Sequence, residues 1–510
     1  MKRTLRLLPA LLLALMVGVL AAGCASSPEA PIAPGGPYYV APDGDDANPG
    51  TEAAPWATLQ HAAEVLRPGE TVYVRGGLYR ESVEIAVSGS AEGGFITFAA
   101  YPGEQPILDG SDFADDPDGA CGFFIEGQSY LVIQGFEIRN FTTARRGAVP
   151  MGIQITGAAH HIRLLGNHIH HIETHAPLDA DLLGADAHGI ALYGTEREPI
   201  HDILIEGNEV DHLVLGSSEA VALNGNVRAF TVTANLIHDC DNIGLDFIGF
   251  EGTAPTPDLD RAREGLVSAN RIYAIDTRSN PAYGGERSAA GIYVDGGAQI
   301  VIERNEVFSS NLGIELASEH AGRATEAITV RSNFLHHNHV AGLAMGGYDR
   351  ERGSTEGCTI VHNTLYHNDT DRTGSGELWL QFAVRDTLIA NNILWAGAQA
   401  LLIGNPFVEN SGNVVDDNLY FAPVGAEAAQ WEWQGVRYTG FAAYRAASGN
   451  DAHSRFADPR LDLPTPHLLP GSPALDAGRP LTQAGALDFD GDPRLQGPRP
   501  DLGADEAPSP

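Results

Sequence analysis

Acidic and aromatic side chains occupy equivalent positions in a repeated pattern, Gly-apolar-x-apolar, in the middle of the chain. The x position holds Asp246, Tyr293 and Glu315, and Asp295 lies two residues after Tyr293. Successive side chains of a strand point to opposite faces, so we expect these residues on one outward face and the apolar residues in a core. Neighbouring strands lie ~4.8 Å apart, which is close enough for such carboxylates to act as an acid and base pair or to share a cation.

Further carboxylates enter the same strands. Asp186, Glu219 and Asp241 each precede a copy of the repeat, so that Asp246 has three acidic neighbours on successive copies. Like charges at this spacing repel one another, and calcium prefers several oxygen ligands. We therefore expect Ca²⁺ to be bound by Asp186, Glu219, Asp241 and Asp246. The alternative is that nearby arginines or turn amides satisfy these carboxylates.

Other residue types suited to chemistry flank this face. The segment 280–288 contains Tyr283 and Arg287, and a planar guanidinium can bind a carboxylate through two hydrogen bonds. His188 precedes the polar centre of the repeat and is a candidate general base. The candidate catalytic residues are Arg287, His188, Tyr293, Asp295 and Glu315, and the candidate substrate-binding residues are Tyr283, Asn224, Asn226 and Tyr193.

The elements that carry these residues are short strands separated by a recurring asparagine. The pattern of alternating apolar residues followed by Asn-x-apolar occurs at Asn167, Asn208, Asn235, Asn270, Asn305, Asn333, Asn363 and Asn392. Strands with a period of two, without helical periodicity between them, are typical of a solenoid whose coils bury their apolar residues against one another. We expect an all-β fold, a right-handed parallel β-helix in which the asparagines stack at a bend and the histidines that follow them also stack.

The N-terminal block differs from the repeat and carries a specific resemblance. It contains Tyr38-Tyr39-Val40-Ala41-Pro42-Asp43-Gly44, then Pro55-Trp56-Ala57-Thr58-Leu59-Gln60, and it ends in Arg75-Gly76-Gly77-Leu78-Tyr79. Trp56, Leu59, Ala63 and Leu66 would share one face of a helix that covers the open end of the solenoid. The block resembles the opening of secreted parallel β-helix proteins related to the family-nine pectate lyases. The resemblance implies calcium-dependent cleavage of a uronate polymer with lysine as the base, but Lys2 is the only lysine in this sequence.

The first residues are typical of an export signal. Lys2, Arg3 and Arg6 precede an apolar run that ends before Cys24, and Ala21-Ala22-Gly23-Cys24 resembles a bacterial lipoprotein processing site. We expect a signal peptide at 1–23, a lipidated Cys24 with a linker to residue 37, an N-terminal cap with the first coils at 38–110, repeats at 111–404 and a loop-rich tail at 405–510. The protein would then be exported and anchored to a membrane by lipid, while the remaining three cysteines are expected to be buried thiols.

The charge limits the partners. The formal net charge of −35 makes nucleic acid a poor partner and favours solubility and cation binding. We expect a monomer that binds an acidic polysaccharide through a bridging cation. The sequence therefore predicts a calcium-assisted polysaccharide lyase; the alternatives are a glycoside hydrolase that uses paired carboxylates and a surface glycan-binding protein without catalytic activity.

Overall fold

The protein folds as a right-handed parallel β-helix, which confirms the predicted fold class. The computed structural model describes residues 36–179 and 183–508. The expected signal peptide and Cys24 lie outside these residues. No helix among the described residues has the length and apolar character needed to span a membrane. Within the described ranges, the strand pairings of the three long sheets are parallel except for a hairpin between 430–433 and 436–439.

Each coil contributes one strand to each of three sheets, which we call sheets 1, 2 and 3. Sheet 2 comes first in a coil, sheet 1 follows, and sheet 3 closes the coil; for example, Met151–Thr156 precedes His160–Leu165 and His168–His170. The strands of sheet 2 are Val83–Glu84, Cys121–Glu126, Met151–Thr156, His188–Gly194, Val221–Gly225, Leu245–Ile248, Ala290–Asp295, Leu312–Ala317, Ala341–Met345, Leu378–Leu380, Leu401–Gly404, Gln430–Trp433 and Val436–Thr439.

Sheets 1 and 3 complete the wall. Sheet 1 contains Tyr38–Val40, Thr71–Val74, Ile96–Ala100, Ser129–Gln134, His160–Leu165, Ile200–Glu206, Val227–Thr233, Arg263–Ser268, Ala298–Glu303, Thr329–Arg331, Thr359–Val361, Leu388–Ala390 and Val414–Asp416, with Ala324–Glu326, Ser354–Glu356 and Val384–Arg385 beside them. Sheet 3 contains Gly77–Tyr79, Pro106–Asp109, Glu137–Arg139, His168–His170, Glu209–Asp211, Leu236–Cys240, Arg271–Ile275, Glu306–Phe308, Phe334–His336, Thr364–Tyr366, Ile393–Trp395, Leu419–Phe421 and Arg455–Phe456. A short separate sheet pairs Thr142–Thr143 with Glu173–Thr174.

The helices lie at the ends and in the loops. The α-helices are Leu59–Val65 and Phe441–Ser448, and the 3₁₀ helices are Thr277–Ser279, Pro281–Tyr283 and Thr482–Ala484. The first helix starts where the Thr58 hydroxyl accepts a hydrogen bond from the His61 backbone. It buries Leu59 and Ala63 in the core, as the predicted cap requires.

The solenoid is longer at both ends than the sequence indicates. Tyr38–Val40 and Thr71–Val74 already pair in sheet 1, so the N-terminal block supplies strands as well as a cap. Strands also continue to Arg455–Phe456, beyond the expected end of the repeats at residue 404. Asn418 extends the asparagine ladder past that point by accepting hydrogen bonds from Asn392.

The asparagines form the predicted buried ladder between sheets 1 and 3. The Asn305 carbonyl accepts hydrogen bonds from the backbone and the side chain of Asn270, and its amide donates to Asn333 and to Val267. The preceding residue, Arg304, has a left-handed φ of 60°, which turns the chain at this bend. The asparagine thus satisfies backbone groups that the bend removes from the sheets.

Replacing Asn305 with alanine is expected to lower the free energy of unfolding by about 2–4 kcal/mol, because it leaves a buried N–H of Asn270 without its acceptor. Urea denaturation followed by circular dichroism measures this change. The control is Gln299→Ala, an exposed position on the same coil, which we expect to change stability by less than about 0.5 kcal/mol. Equal urea midpoints of unfolding for the two variants would contradict the structural role of the asparagine ladder.

Candidate active site on sheet 2

The outward positions of sheet 2 form the ladder that the sequence predicts. Asp246 pairs in register with Tyr293, and Tyr293 pairs with Glu315. The ladder continues through Ala344 to Trp379. Adjacent strands therefore present a carboxylate, a phenol and a second carboxylate at intervals of ~4.8 Å.

A groove of about 780 Å³ lies over the C-terminal part of this ladder. Tyr293, Glu315 and Trp379 contribute to its lining, and the small side chain of Ala344 separates the last two along the ladder. Loops from neighbouring coils add Tyr283, Arg287, Glu319, Tyr348, Arg352 and Gln381. The groove thus combines carboxylates, guanidinium groups and aromatic rings on a rigid scaffold, which is a common arrangement for a ligand site.

Three further carboxylates form a buried cluster beside the groove. Asp246 and Asp295 are 3% and 4% exposed, and 15% of the Glu219 side chain is exposed. Burial raises the pKa of Asp246 well above its usual range, and the negative charges of Glu219 and Asp295 add to this rise. Burial also raises the pKa of Glu219, together with the charges of Glu251 and Asp186. The carboxylates therefore repel one another in a region that water scarcely reaches.

Some polar atoms of this cluster lack partners. The Oδ1 atoms of Asp246 and Asn224 are buried and have no hydrogen-bond partner among the described residues. The Asn224 amide donates to Glu251 at 2.7 Å, so its carboxamide group lies against the cluster. Donor atoms of Glu251, Asp295 and His320 also lie within 4.8 Å of one another. The chemistry of this donor set fits a divalent cation, because carboxylate and amide oxygens are the ligands that calcium prefers.

Glu315 and Glu319 are two groove carboxylates with different surroundings. Glu315 is 8% exposed, and burial followed by the negative charge of Glu319 raises its pKa to about 8. Burial, with the charge of Glu251, also raises the pKa of Glu319 above its usual value, although Arg352, His320 and the Tyr293 hydroxyl reduce that rise. Paired carboxyl groups in different electrostatic surroundings can divide the roles of acid and base. At neutral pH Glu315 holds a proton, whereas Glu319 is the carboxylate with cationic neighbours.

The structure does not bring Asp241 to the acidic cluster. Its carboxylate accepts a hydrogen bond from the Leu215 backbone at 2.7 Å and lines a different surface pocket with Glu173. Burial raises the pKa of Asp241 to about 6. Asp186 does lie near the cluster, where it accepts a hydrogen bond from Ser218 at 3.1 Å. Asp241 is therefore not near the other calcium ligands expected from the sequence. The chain turns between Asp241 and Asp246 and directs their side chains to different surfaces.

His188 does not reach the groove. Its Nδ1 lies 2.9 Å from the Glu219 backbone carbonyl and its Nε2 lies 2.8 Å from the Tyr193 hydroxyl. Burial lowers the pKa of His188 to about 4, so the ring is neutral. Tyr193 is engaged in the same contact, and Asn226 holds a turn by donating to the backbone carbonyls of Glu196 and Arg197. The structure thus places His188, Tyr193 and Asn226 in supporting contacts outside the groove lining.

Two of the remaining candidates line the groove but are unsuited to act as the base. Burial alone would lower the pKa of Arg287, but its hydrogen bonds to Asp371 and Asp276 outweigh burial and raise it. Burial also raises the pKa of Tyr293 well above its usual range. Both groups therefore keep their protons, which disfavours a catalytic role for either of them as a base. Tyr283 lines the groove, and its role in substrate binding stays a prediction.

Three further residues near the ladder were not predicted from the sequence: Glu319, Glu251 and Arg352. Glu319 follows Leu316 by three residues, and Tyr348 follows Met345 by the same interval, where Leu316 and Met345 pair in register. Residues that leave adjacent strands at one edge of sheet 2 therefore meet at the rim of the groove. This strand-exit position was a usable signal, whereas Arg352 comes from a loop that no repeat position specifies.

The raised pKa of Glu315 predicts a pH dependence of stability. A carboxyl group with a pKa of about 8 in the folded state and its ordinary value of 4.5 in the unfolded state binds its proton more tightly when folded. Stability should therefore fall as the pH rises from about 4.5 to 8, by an amount on the order of 4 kcal/mol for this group. Thermal unfolding followed across this range should show a smaller fall in Tm for Glu315→Gln. An equally steep fall in that variant would contradict the assignment.

Comparisons with known proteins agree with this architecture. Residues 38–189 match the family described as Pel9A-like, right handed beta helix region. Pectate lyase L of Paenibacillus polymyxa is 34% identical over 152 residues, which cover 29% of this chain and 30% of that protein. The structure of XylC in complex with xylose covers 92% of this chain and 98% of its own, with 11% identity and a TM-score of 0.50, and it shows a shared fold.

One relative matches across most of the chain. The Bacillus subtilis protein named Uncharacterized protein YwoF is 40% identical over 421 residues, which cover 82% of this chain and 87% of YwoF. The match extends far beyond the region shared with the pectate lyases, so it relates most of the chain to YwoF. This chain belongs to the family of YwoF and is a right-handed parallel β-helix protein whose residues 38–189 match the Pel9A-like region.

Proposed function

We propose that this protein hydrolyses a glycosidic bond of a polysaccharide in the groove on sheet 2. The observation that carries the proposal is the presence of Glu315 and Glu319 in one groove with different electrostatic surroundings. Glycoside hydrolases act through two carboxyl groups that flank the scissile bond, one of which is protonated. Glu315 has the surroundings of the proton donor, and Glu319 those of the ionised partner.

The chemistry needs only these two groups and water. The Glu315 carboxyl group gives its proton to the glycosidic oxygen as the bond from that oxygen to the anomeric carbon breaks. Glu319 either takes a proton from the attacking water or attacks the anomeric carbon directly, depending on the separation of the two carboxyl groups in the complex. Each route adds one water across the bond. In the route with direct attack, Glu315 recovers its proton from the water that releases the sugar from Glu319. In the other route, the proton taken up by Glu319 passes to solvent, and Glu315 takes a proton from solvent.

Aromatic side chains in the groove support a sugar ligand. Trp379, Tyr283 and Tyr348 line it, and such rings offer an apolar surface together with a polar edge. Arg287 forms ion pairs with two aspartates. Of the two groove arginines, Arg352 is therefore the one whose positive charge is less neutralised. The Nε–H of Arg352 has no hydrogen-bond partner among the described residues and lies 4.0 Å from a carboxylate oxygen of Asp349, so it is suited to donate to a sugar hydroxyl or carboxylate.

A second candidate function is calcium-assisted elimination in an acidic polysaccharide, and the buried acidic cluster favours it. Asp246, Asp295, Glu219 and Glu251, with the unpartnered Asn224 carbonyl, supply the oxygen ligands that Ca²⁺ would need. A bound calcium ion would neutralise a uronate carboxylate and thereby make the adjacent proton more acidic. Since the chain has no lysine after Lys2 and Arg287 keeps its proton, Glu319 is the group left to accept that proton.

The two candidates differ in their products. Purified protein is incubated with pectate, alginate, glycosaminoglycans and neutral xylan, with calcium and with a chelator. We expect new reducing ends without the ultraviolet absorbance of an unsaturated uronate, and no effect of the chelator. Unsaturated products that form only when calcium is present would show that the reaction is elimination and not hydrolysis. Glycan binding without any cleavage would contradict both and leave a binding protein.

We also propose that the protein is exported and held at a membrane by a lipid on Cys24. The proposal is supported by the positively charged residues at the N-terminus, the apolar segment that follows them and the Ala21-Ala22-Gly23-Cys24 site in the sequence. Cys24→Ala is expected to abolish incorporation of labelled fatty acid and to shift the protein from the membrane fraction to the soluble fraction. Unchanged labelling would show that the lipid is attached elsewhere.

A further inference from the structure

We propose that His212, His238 and Asp239 bind a first-row divalent transition metal ion, for which Zn²⁺ is the probe, at a surface site apart from the groove. One donor atom from each of these residues lies within 4.8 Å of the others. His212 follows the strand Glu209–Asp211 of sheet 3, and His238 and Asp239 lie on the next strand, Leu236–Cys240. The three donors therefore meet at one corner of two successive coils.

The second nitrogen of each imidazole is held by a carboxylate. His212 Nδ1 is hydrogen bonded to Asp211, whose other carboxylate oxygen lies 2.6 Å from His168 Nε2. His238 Nε2 lies 3.3 Å from a carboxylate oxygen of Glu209. Metal-binding histidines commonly donate their other ring N–H to a carboxylate, which fixes the tautomer and the ring orientation. Asp211 and Glu209 thus orient the rings so that His238 Nδ1 lies 2.7 Å from the Asp239 carboxylate, a contact that a bound metal ion would replace.

Ring stacking along the solenoid does not account for this pair. His171 stacks on His212 with 2° between the ring planes, and His238 stacks on Tyr273 with the same angle. His212 and His238 belong to different stacks, because Asp211 and not His212 pairs in register with His238; their ring planes are 81° apart and their centroids are separated by 6.1 Å. At this step the two histidines are turned so that nitrogen atoms, and not ring faces, approach Asp239.

The site is open to solvent and to a ligand. The side chains of His212 and Asp239 are 55% and 47% exposed. Both line an open pocket of about 480 Å³ that also contains Glu173 and Asp241. Three protein donors with an open position leave room for water or a ligand on the metal ion. This pocket and the groove have no lining residue in common.

The donor set selects the class of metal. Two imidazole nitrogens and one carboxylate oxygen suit zinc, copper, nickel and cobalt, whereas calcium prefers oxygen ligands alone. The acidic cluster beside the groove is thus the candidate site for Ca²⁺, and this corner is the site for Zn²⁺. The inference stands independently of the proposed hydrolysis, since no groove residue takes part in it.

A second histidine group provides a matched control. His161, His201 and Asp202 also have donor atoms within 4.8 Å of one another, at the corner beside sheet 1. His201 Nδ1 lies 2.6 Å from Asp202, as His238 Nδ1 lies 2.7 Å from Asp239, but His161 Nδ1 faces His160 Nδ1 at 2.9 Å where His212 Nδ1 faces Asp211. Within the described part of the chain, these rings have no separate carboxylate that orients them, so we expect weaker binding of Zn²⁺ at this group.

The test is titration of Zn²⁺ into protein purified without a histidine tag, by isothermal calorimetry, with the visible spectrum of bound Co²⁺ as a second readout. We expect one tight site in the wild type. His212→Ala should weaken it at least about 100-fold, and Asp211→Asn about 10- to 100-fold through the lost orienting contact. His201→Ala should leave the tight site unchanged.

Either of two outcomes would overturn the proposal. One is a wild-type protein without a saturable Zn²⁺ site, and the other is an unchanged affinity in His212→Ala. Loss of the tight site in His201→Ala alone would place it at the control group and would also reject the assignment. Thermal unfolding of His212→Ala without metal checks that the fold is kept, which is expected because the side chain is exposed at the surface.

Discussion

Replacing Glu315 with glutamine is expected to lower kcat by about 10²- to 10⁴-fold, because the proton donor to the leaving oxygen is lost. Glutamine has the same shape, so KM should change little. In the wild type, activity should decline at alkaline pH as the carboxyl group with a pKa of about 8 loses its proton. The residual activity of Glu315→Gln should lack this alkaline decline. Steady-state kinetics across the pH range measures both effects.

Glu206→Gln is the matched control for this substitution. Glu206 is an exposed glutamate on sheet 1, on the strand Ile200–Glu206, and does not line the groove. We expect its kinetics to equal those of the wild type. A Glu315→Gln enzyme with normal kcat, or with an unchanged alkaline decline, would remove Glu315 from the mechanism.

Glu319→Gln is expected to have an effect of similar size, about 10²- to 10⁴-fold on kcat, because water loses its base or the anomeric carbon loses its nucleophile. In the wild type, activity should decline at acidic pH as Glu319 takes up a proton. This acidic decline should be absent from the residual activity of Glu319→Gln. The negative charge of Glu319 also contributes to the raised pKa of Glu315. The alkaline decline of the residual activity should therefore move to lower pH in this variant.

A small anion separates loss of the carboxylate from general damage. Azide or formate can enter the space left by Glu319→Ala and replace its carboxylate, so added anion should restore part of the activity. The same anion should not restore Glu315→Gln, in which the missing group is a proton donor. Rescue of neither variant, with an unmoved alkaline decline in Glu319→Gln, would contradict the assignment of the ionised partner.

The fold was predictable because its determinants are local and repeated. Asn270, Asn305 and Asn333 stand at the same step of successive coils, and each satisfies backbone groups of its neighbour. The period of two in the strands indicates which side chains face outward, and the register of Asp246, Tyr293 and Glu315 follows from it. The ends were less predictable, since strands near residue 430 have no asparagine step to mark them.

The site was predictable only where the repeat determines direction. Asp246, Asp295 and Glu315 lie as the alternation requires, but alternation does not distinguish a groove from the buried layer beside it. The Asp241 side chain lies on another surface because Asp241 precedes the strand Leu245–Ile248, at a position where the loop determines side-chain direction. Glu319 lies in the groove for the same reason, since it follows the strand Leu312–Ala317 and the loop determines its direction. Loop conformation, and not strand period, decided both cases.

Mass spectrometry of products formed in H₂¹⁸O tests hydrolysis most directly. We expect each cleavage to add one water and the new reducing end to carry ¹⁸O, with the rate of incorporation lowered in Glu315→Gln and Glu319→Gln to the same extent as kcat. Products lighter by one water and free of ¹⁸O would show elimination. That result would contradict the roles given to the two glutamates.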